Sequence, residues 1–338
     1  MKPTGSARAP LLLAGDIGGT KTNLALFRAQ AGRLALLDGA RFASREHGGL
    51  EEILDAFLGT RRTRLSAVAL GIAGPVIKGR SRATSLPWVV DSGRLSRRLR
   101  APVALLNDLE ATAHAIPELS KGRFLVLNAG RPVPGGNLAL IAAGTGLGEA
   151  FVQRSGGRFL VGATEGGHCD YAPRNEEEIQ LLRYLMGRFG HVSVERVLSG
   201  PGLVNVYEFF KMVQPGADPA MSRRLRGQGD KAAVISSAAL EGVSPRAGRA
   251  LRLFVSAYGA EAGNLALKSL ATGGVYIGGG IAPKILPALR DGSFLDAFLD
   301  KGRFRGLLAS IPIKVILDDQ AALLGAASIA RELASGVA

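Results

Sequence analysis

From Leu11 onward the apolar positions come in short runs broken by glycine, a rhythm of strands and tight turns. Leu11-Leu-Leu-Ala-Gly-Asp-Ile-Gly-Gly-Thr-Lys-Thr-Asn-Leu-Ala-Leu-Phe27 reads as an apolar strand, a glycine turn and a return strand on which Leu24 and Leu26 alternate. That is a β-hairpin, not a strand feeding a helix. Glu51 to Leu58 has helical periodicity, Ala67 to Ile72 is a buried strand, and Val103 to Leu106 is another strand ending at Asn107-Asp108, with a helix from Glu110 to Ala115.

The strand, glycine turn, strand plan returns at Asn137-Leu-Ala-Leu-Ile-Ala-Ala-Gly-Thr-Gly-Leu-Gly-Glu-Ala-Phe-Val152, so the chain is expected to hold two related halves. Pro215 to Gly229 lacks periodicity and reads as a surface loop. Helices are expected over Lys231–Leu240 and Pro245–Leu270, then a strand and glycine turn at Gly274-Val-Tyr-Ile-Gly-Gly-Gly-Ile281, and a last helix over Ala321–Ala334. Alternation of this kind predicts mixed sheets with helices packed on their faces, an α/β fold.

With 338 residues, 47% of them hydrophobic, the chain can bury more than one core. Two domains with a cleft between them are expected. The single cysteine, Cys169, leaves no intramolecular disulfide and no cysteine zinc site. The apolar run Leu11 to Ala14 ends at Asp16, too short for a signal-peptide core, and no stretch is long enough to span a bilayer. A cytoplasmic protein without a membrane partner is expected. The net charge of +14 attracts polyanions. Its basic residues are scattered, however, and groups such as Arg61, Arg62 and Arg64, or Arg94, Arg97, Arg98 and Arg100, read as solvated helix faces. With one tryptophan and no clustered basic face, no specific nucleic-acid partner is expected.

Glycine turns can offer several backbone N–H groups to phosphate oxygens, and Gly15, Gly18 and Gly19 around Asp16 and Lys21 form one such turn. It is not a Walker A loop, because Thr20 stands where glycine would precede Lys21, and it is not a G-x-G-x-x-G. Gly144-Thr145-Gly146-Leu147-Gly148 is a second turn of the same kind. Asp108, at a strand end, suits a general base, and equally the N-cap of the helix that follows. Glu165, His168, Glu195 and Asn107 offer the donors and acceptors that a ring of hydroxyls requires. A metal site at His168, Cys169 and Asp170, or an ion pair of Glu195 with Arg196, are the competing roles.

Gly15-Asp-Ile-Gly-Gly-Thr-Lys-Thr22, Leu106-Asn-Asp-Leu-Glu-Ala111, Gly144-Thr-Gly-Leu-Gly148, Glu165-Gly-Gly-His168, Glu195-Arg-Val-Leu-Ser-Gly-Pro-Gly202 and Gly278-Gly-Gly-Ile281 resemble, in order and over nearly the whole chain, the motifs of bacterial glucokinases. The resemblance implies the two-domain actin-like ATPase fold, ribonuclease-H-like, with an interdomain cleft and with residues 1–117 plus 318–338 in a small domain and 118–317 in a large one. It implies phosphorylation of D-glucose by Mg-ATP to give glucose 6-phosphate, with Asp108 as general base and Asn107, Asp108, Glu165, His168 and Glu195 on the sugar. Gly15, Asp16, Gly18, Gly19, Thr20, Lys21, Gly144, Thr145, Gly146, Gly278, Gly279 and Gly280 would hold ATP, with Asp16 acting on Mg through water, in a homodimer.

Ser85, in Thr84-Ser85-Leu86-Pro87-Trp88, stands where the family commonly has asparagine, which bears on hexose preference. The related repressor and sugar-kinase family carries a cysteine-rich zinc motif that this chain lacks. The alternatives are a broader kinase for mannose or glucosamine that also takes polyphosphate as a donor, as the charge suggests, and a non-catalytic sugar sensor.

Overall fold

The computed structural model describes residues 9–336 other than 31, 60–63, 84–85, 156–157 and 228. The question raised by Ser85 therefore lies outside the described residues. The chain divides into two compact units: one runs to Ser120 and resumes at Asp318, the other spans Lys121–Leu317.

The first unit is built on the expected hairpin. Strand β1 (Leu11–Ile17) returns antiparallel as β2 (Lys21–Gln30), which turns into β3 (Arg33–Ala43). On its other side β1 pairs in parallel with β4 (Ala67–Ile72). The short strands β5 (Val76–Ile77), β6 (Arg80–Arg82) and β7 (Val89–Asp91) form a separate three-stranded sheet, and β8 (Val103–Asn107) completes the main one in the order β3-β2-β1-β4-β8. β4 is buried throughout, because helices or loops cover both faces of a parallel strand.

Helix α1 (Leu50–Leu58) and Trp88 pack on one face of this sheet. Helix α2 (Ser92–Leu99) is capped by Asp91, and its exposed Arg94 and Arg98 pair with Glu51 and Asp55 of α1. Part of the basic excess is thus spent between neighbouring helices. Helix α3 (Asp108–Ala115) begins two residues before the expected Glu110, because Asn107 and Glu110 form a reciprocal capping box that sets the first turn at Asp108.

The second unit repeats the plan. It opens with β9 (Phe124–Asn128); then β10 (Leu138–Ala143), β11 (Leu147–Ser155) and β12 (Arg158–Thr164) form a meander in the manner of β1 to β3. After helices α4 (Glu176–Phe189), α5 (Gly200–Val213), α6 (Pro219–Arg224), α7 (Lys231–Leu240) and α8 (Pro245–Ser269), β13 (Gly274–Gly278) joins in parallel with β10. Three short helices, α9 (Leu286–Leu289), α10 (Ser293–Leu299) and α11 (Arg305–Ser310), lead to β14 (Ile313–Ile316). The order β12-β11-β10-β13-β14-β9 matches that of the first sheet with one antiparallel strand added. Two related halves are what the repeated hairpin predicts.

Helix α6 corrects the reading of Pro215 to Gly229 as loop alone. Asp218 caps it through the Met221 N–H, Pro219 starts it, and Met221 is fully buried. One apolar anchor in six residues is too little to register as a period. α8 stops at Ser269 because Leu270 takes a left-handed conformation with φ +47°. The last helix, α12 (Ala321–Ala334), returns to the first unit and packs its Ala326, Ala327 and Ala330 on β1, β4 and α3.

Candidate functional site

In the first unit two features meet at one edge of the sheet. The parallel register sets Asp16 opposite Gly71 and Gly71 opposite Leu106, then Ile17 opposite Ile72 and Ile72 opposite Asn107. The first glycine turn and Asp108 therefore leave the same end of the sheet, two strand spacings or about 10 Å apart. Strand C-terminal ends are where α/β folds build their sites.

The turn is drawn tight by the Gly18 N–H, which donates to the Lys21 carbonyl at 2.9 Å. Ser44, fully buried, fastens it from below: its hydroxyl donates to the Gly18 carbonyl at 2.8 Å and shares a 3.0 Å hydrogen bond with Thr22. Gly15 has no room for a side chain, since a Cβ would lie 2.6 Å from a Leu70 methyl. Thr20 and Lys21 are exposed. Asp16 is half-buried and accepts from the Asn23 amide at 3.2 Å, while Arg41 holds Asn23 from the far side at 2.9 Å. Burial pushes the Asp16 carboxyl above its ordinary range, and the Asn23 hydrogen bond and the Arg41 charge pull it back.

Asn107 takes the capping role that Asp108 could have had. Its Oδ1 accepts from the Leu109 N–H at 2.8 Å and its amide donates to the Gly74 carbonyl at 3.2 Å. Asp108 sits in the first turn of α3, its Oδ1 2.9 Å from the Leu109 N–H. Gly71 lets the helix approach, because a Cβ there would lie 3.0 Å from the Ala111 methyl.

In the second unit four motifs that lie far apart in sequence interlock. The second turn closes through the Gly144 N–H, which donates to the Gly146 carbonyl at 2.8 Å, and the Gly144 carbonyl accepts from the Gly200 N–H at the start of α5. Glu195 Oε2 accepts from the Leu147 N–H at 2.9 Å and lies where a Gly146 Cβ would be, 2.6 Å away. The role of ion-pair partner to Arg196 is thereby replaced: Arg196 stacks its guanidinium on the Phe189 ring.

Glu165-Gly166-Gly167-His168 forms a short 3-10 turn against the start of β11. A Cβ on Gly167 would lie 2.2 Å from the Leu147 carbonyl, and one on Gly166 would lie 2.1 Å from the Glu149 carboxylate. Both glycines are required by close approach. The turn leaves Glu165 and His168 exposed, with 4.0 Å between His168 Nε2 and Glu165 Oε2. Asp170 bonds to His191 at 2.8 Å, and no cluster of three metal-ligating side chains occurs among the described residues.

The Gly278–Gly280 turn crosses the end of β10. Gly279 has φ +83°, and a Cβ on it would meet the Ala143 carbonyl at 2.3 Å. The buried Tyr258 hydroxyl binds beneath, accepting from the Ala143 N–H at 3.2 Å, within reach of the Ile141 and Gly278 carbonyls. Beside these turns opens a cavity of about 440 Å3 lined by Gly144, Thr145 and Gly280, and also by Pro201, Lys231 and Lys284. Residues at the starts of α5 and α7 complete this wall; Gly200 and Pro201 belong to the Glu195–Gly202 motif, which was given no role here, and the sequence reading missed those of α7. Asp230, which caps α7 through the Ala232 and Ala233 N–H groups, was its one available signal.

Paired sheets of one topology, each ending in a glycine turn, are the architecture of the actin-like ATPase fold. The family model for glucokinase matches residues 13–333. The glucokinase of Nostoc sp. is 42% identical over 340 residues, covering 96% of this chain and 99% of that protein. That of Yersinia pestis is 36% identical over 321 residues, covering 95% and 96%. The crystal structure of a glucokinase from an Antarctic psychrotroph superposes with a TM-score of 0.84 at 29% identity, over 95% of this chain and 99% of that one. A glucokinase of the ROK family from Streptomyces griseus, solved with glucose and AMPPNP, shares the fold at a TM-score of 0.63 and 23% identity, over 95% and 99%. The chain belongs to the glucokinase family.

Proposed function

We propose that Asp108 is the general base for the reaction of this enzyme, the ATP-dependent phosphorylation of D-glucose to glucose 6-phosphate. The enzyme is a glucokinase, with glucose and ATP as its substrates. What supports the role of Asp108 is its place: it follows the C-terminal end of β8, at the end of the sheet from which the first glycine turn also leaves. A carboxylate there can accept the 6-hydroxyl proton as that oxygen attacks the γ-phosphorus. Asn107, Glu165, His168 and Glu195 are assigned with it to the sugar hydroxyls.

Gly15, Gly18, Gly19, Thr20 and Lys21 of the first turn, and Gly144, Thr145 and Gly146 of the second, would take the phosphates. Gly280 lines the cavity proposed for the adenosine, and Gly278 and Gly279, in the same turn, are assigned to it as well. Asp16 fits a magnesium ion, since its carboxylate is a hard oxygen donor whose ionised form burial disfavours and a cation would restore. When bound, the ion would neutralise phosphate charge.

Asp108→Asn is expected to lower kcat at least ~10²-fold while glucose still binds. Turnover near that of the wild type in a coupled assay of glucose 6-phosphate would overturn the assignment. Further proposals are a homodimer, tested by light scattering, a cytoplasmic location, tested by fractionation, and polyphosphate as an additional donor. The last is discarded if no polyphosphate-dependent glucose phosphorylation occurs at low salt. Among the described residues no helix is long and apolar enough to cross a membrane.

A further inference from the structure

Directly beneath the Glu165–His168 turn lies a carboxyl group that the reaction leaves unused. Glu149 is the third residue of β11, just after the second glycine turn, and is paired across the sheet with Thr164 at the end of β12 and with Ile141 of β10. Its side chain is 2% exposed. Oε1 has no hydrogen-bond partner among the described residues, and Oε2 packs on Gly166 so closely that no Cβ would fit between them. The Thr164 hydroxyl ties the two strands here, donating to the Glu149 carbonyl at 3.2 Å and accepting from the Gly166 N–H at 3.0 Å.

Helix α8 supplies the groups that face Glu149: Glu261, which is 6% exposed, Lys268 and the Tyr258 hydroxyl. Lys268 Nζ is 3.3 Å from Glu261 Oε1, so its charge is already committed to that carboxylate. The turn itself carries Glu165 and His168, 4.0 Å apart, and Cys169, which follows it, faces Lys268. An ionised Glu149 is therefore a buried negative charge beside a second one, with no donor bonded to Oε1 among the described residues. Either it takes a proton or water must reach it. The layer that would give way to admit water is the exposed turn, because β10, β12 and α8 hold the other sides.

We propose that Glu149 is a positioning residue for the sugar loop: uncharged, it packs under Gly166 and holds the Glu165–His168 turn in its glucose-binding geometry, and ionised, it releases that turn. The inference rests on the assignment of Glu165 and His168 to glucose. Burial and the Glu261 charge push the Glu149 carboxyl up to about 7, with Lys268 opposing, so both forms are populated near neutrality. Glucose affinity should weaken as pH rises through that value. Glutamine at this position keeps the shape and cannot ionise, which separates charge from packing.

The test is calorimetric titration of glucose into the whole enzyme, wild type and Glu149→Gln, at about pH 6 and about pH 8.5. The wild-type Kd is expected to rise at least ~3-fold between the two, and that of the variant to stay near the low-pH value. An equal rise in both proteins would place the titration elsewhere and overturn the inference, as would a flat wild type. No glucose binding by the wild type at either pH would overturn the sugar assignment, and this inference with it. Should the variant not fold, hydrogen exchange of residues 165–169 in the wild type decides: faster exchange at the higher pH, beyond the intrinsic base catalysis, supports release, and corrected rates that do not change overturn it.

Discussion

Glu195 Oε2 accepts the Leu147 N–H at 2.9 Å, which ties a carboxylate proposed for the sugar directly to the backbone of the second glycine turn. The same turn is braced by the Gly200 N–H on the Gly144 carbonyl, only five residues after Glu195. The residues proposed for sugar and for nucleotide in this unit therefore share one scaffold.

Replacing Glu195 with alanine should for that reason raise the KM for ATP as well as that for glucose. A lost charge-assisted hydrogen bond is worth about 1.5–3 kcal/mol, so roughly 10- to 100-fold in kcat/KM is expected. Steady-state kinetics with each substrate varied in turn checks it. A change confined to glucose would mean that the Leu147 contact positions nothing.

Gly325 of α12 should not tolerate alanine. Its Cα passes so close to α3 that an added Cβ would fall 1.7 Å from the Ala111 carbonyl, one turn beyond Asp108. Backbone cannot yield as a side-chain tip can, so the helices must separate, at a cost of about 1–3 kcal/mol. Gly325→Ala should lower the melting temperature and, by displacing Asp108, depress kcat more than the KM for ATP. Thermal unfolding and kinetics on one preparation test both.

Ser44 is a third such point. Its hydroxyl is fully buried and bonds both Gly18 and Thr22. Ser44→Ala leaves the Gly18 carbonyl short of a donor and loosens the first turn, at about 1–3 kcal/mol. The KM for ATP should rise severalfold with little change in glucose affinity. Equal effects on both substrates would argue against a local role for the latch.

Much of this was legible in the sequence because the elements that build the site have strong local signatures. Both hairpins follow from an apolar run, clustered glycines and an alternating return strand, and α7 and α12 keep the bounds that periodicity gives them. The positions of the motif residues follow from register, which sequence does fix once the strands are known.

What sequence could not show is how separate motifs touch. Nothing in the spacing of Gly166, Gly167, Leu147 and Glu149 says that the turn lies on β11, and Glu195 bonding Leu147 spans 48 positions of chain. α6 was hidden because a single buried methionine carries it, and the cavity wall from α7 because a helix start lining a pocket looks like any other capped helix. Glu149 within the apolar first half of β11, Leu147 to Val152, was a legible anomaly. Its neighbours Glu261 and Lys268 come from another element, over a hundred residues away.

Two buried groups give the fold opposing pH dependences, which a single variant should separate. His114 on α3 is held near a pKa of about 4 by burial, below its ordinary 6.5. The unfolded chain binds that proton more readily, so the histidine's contribution to stability is complete above about pH 6.5 and is lost as pH falls toward 4. Glu149 runs the other way: its folded value near 7 exceeds the ordinary 4.5, so its contribution is complete below about pH 4.5 and is lost as pH rises through 7. Between about pH 5 and pH 7 the two slopes offset each other in the wild type. Glu149→Gln removes one of them, so the variant's melting temperature should climb with pH across this window, by several degrees, while that of the wild type changes less. Parallel curves for the two proteins would mean that Glu149 keeps its charge in the folded state, and the burial argument for this carboxyl would fail.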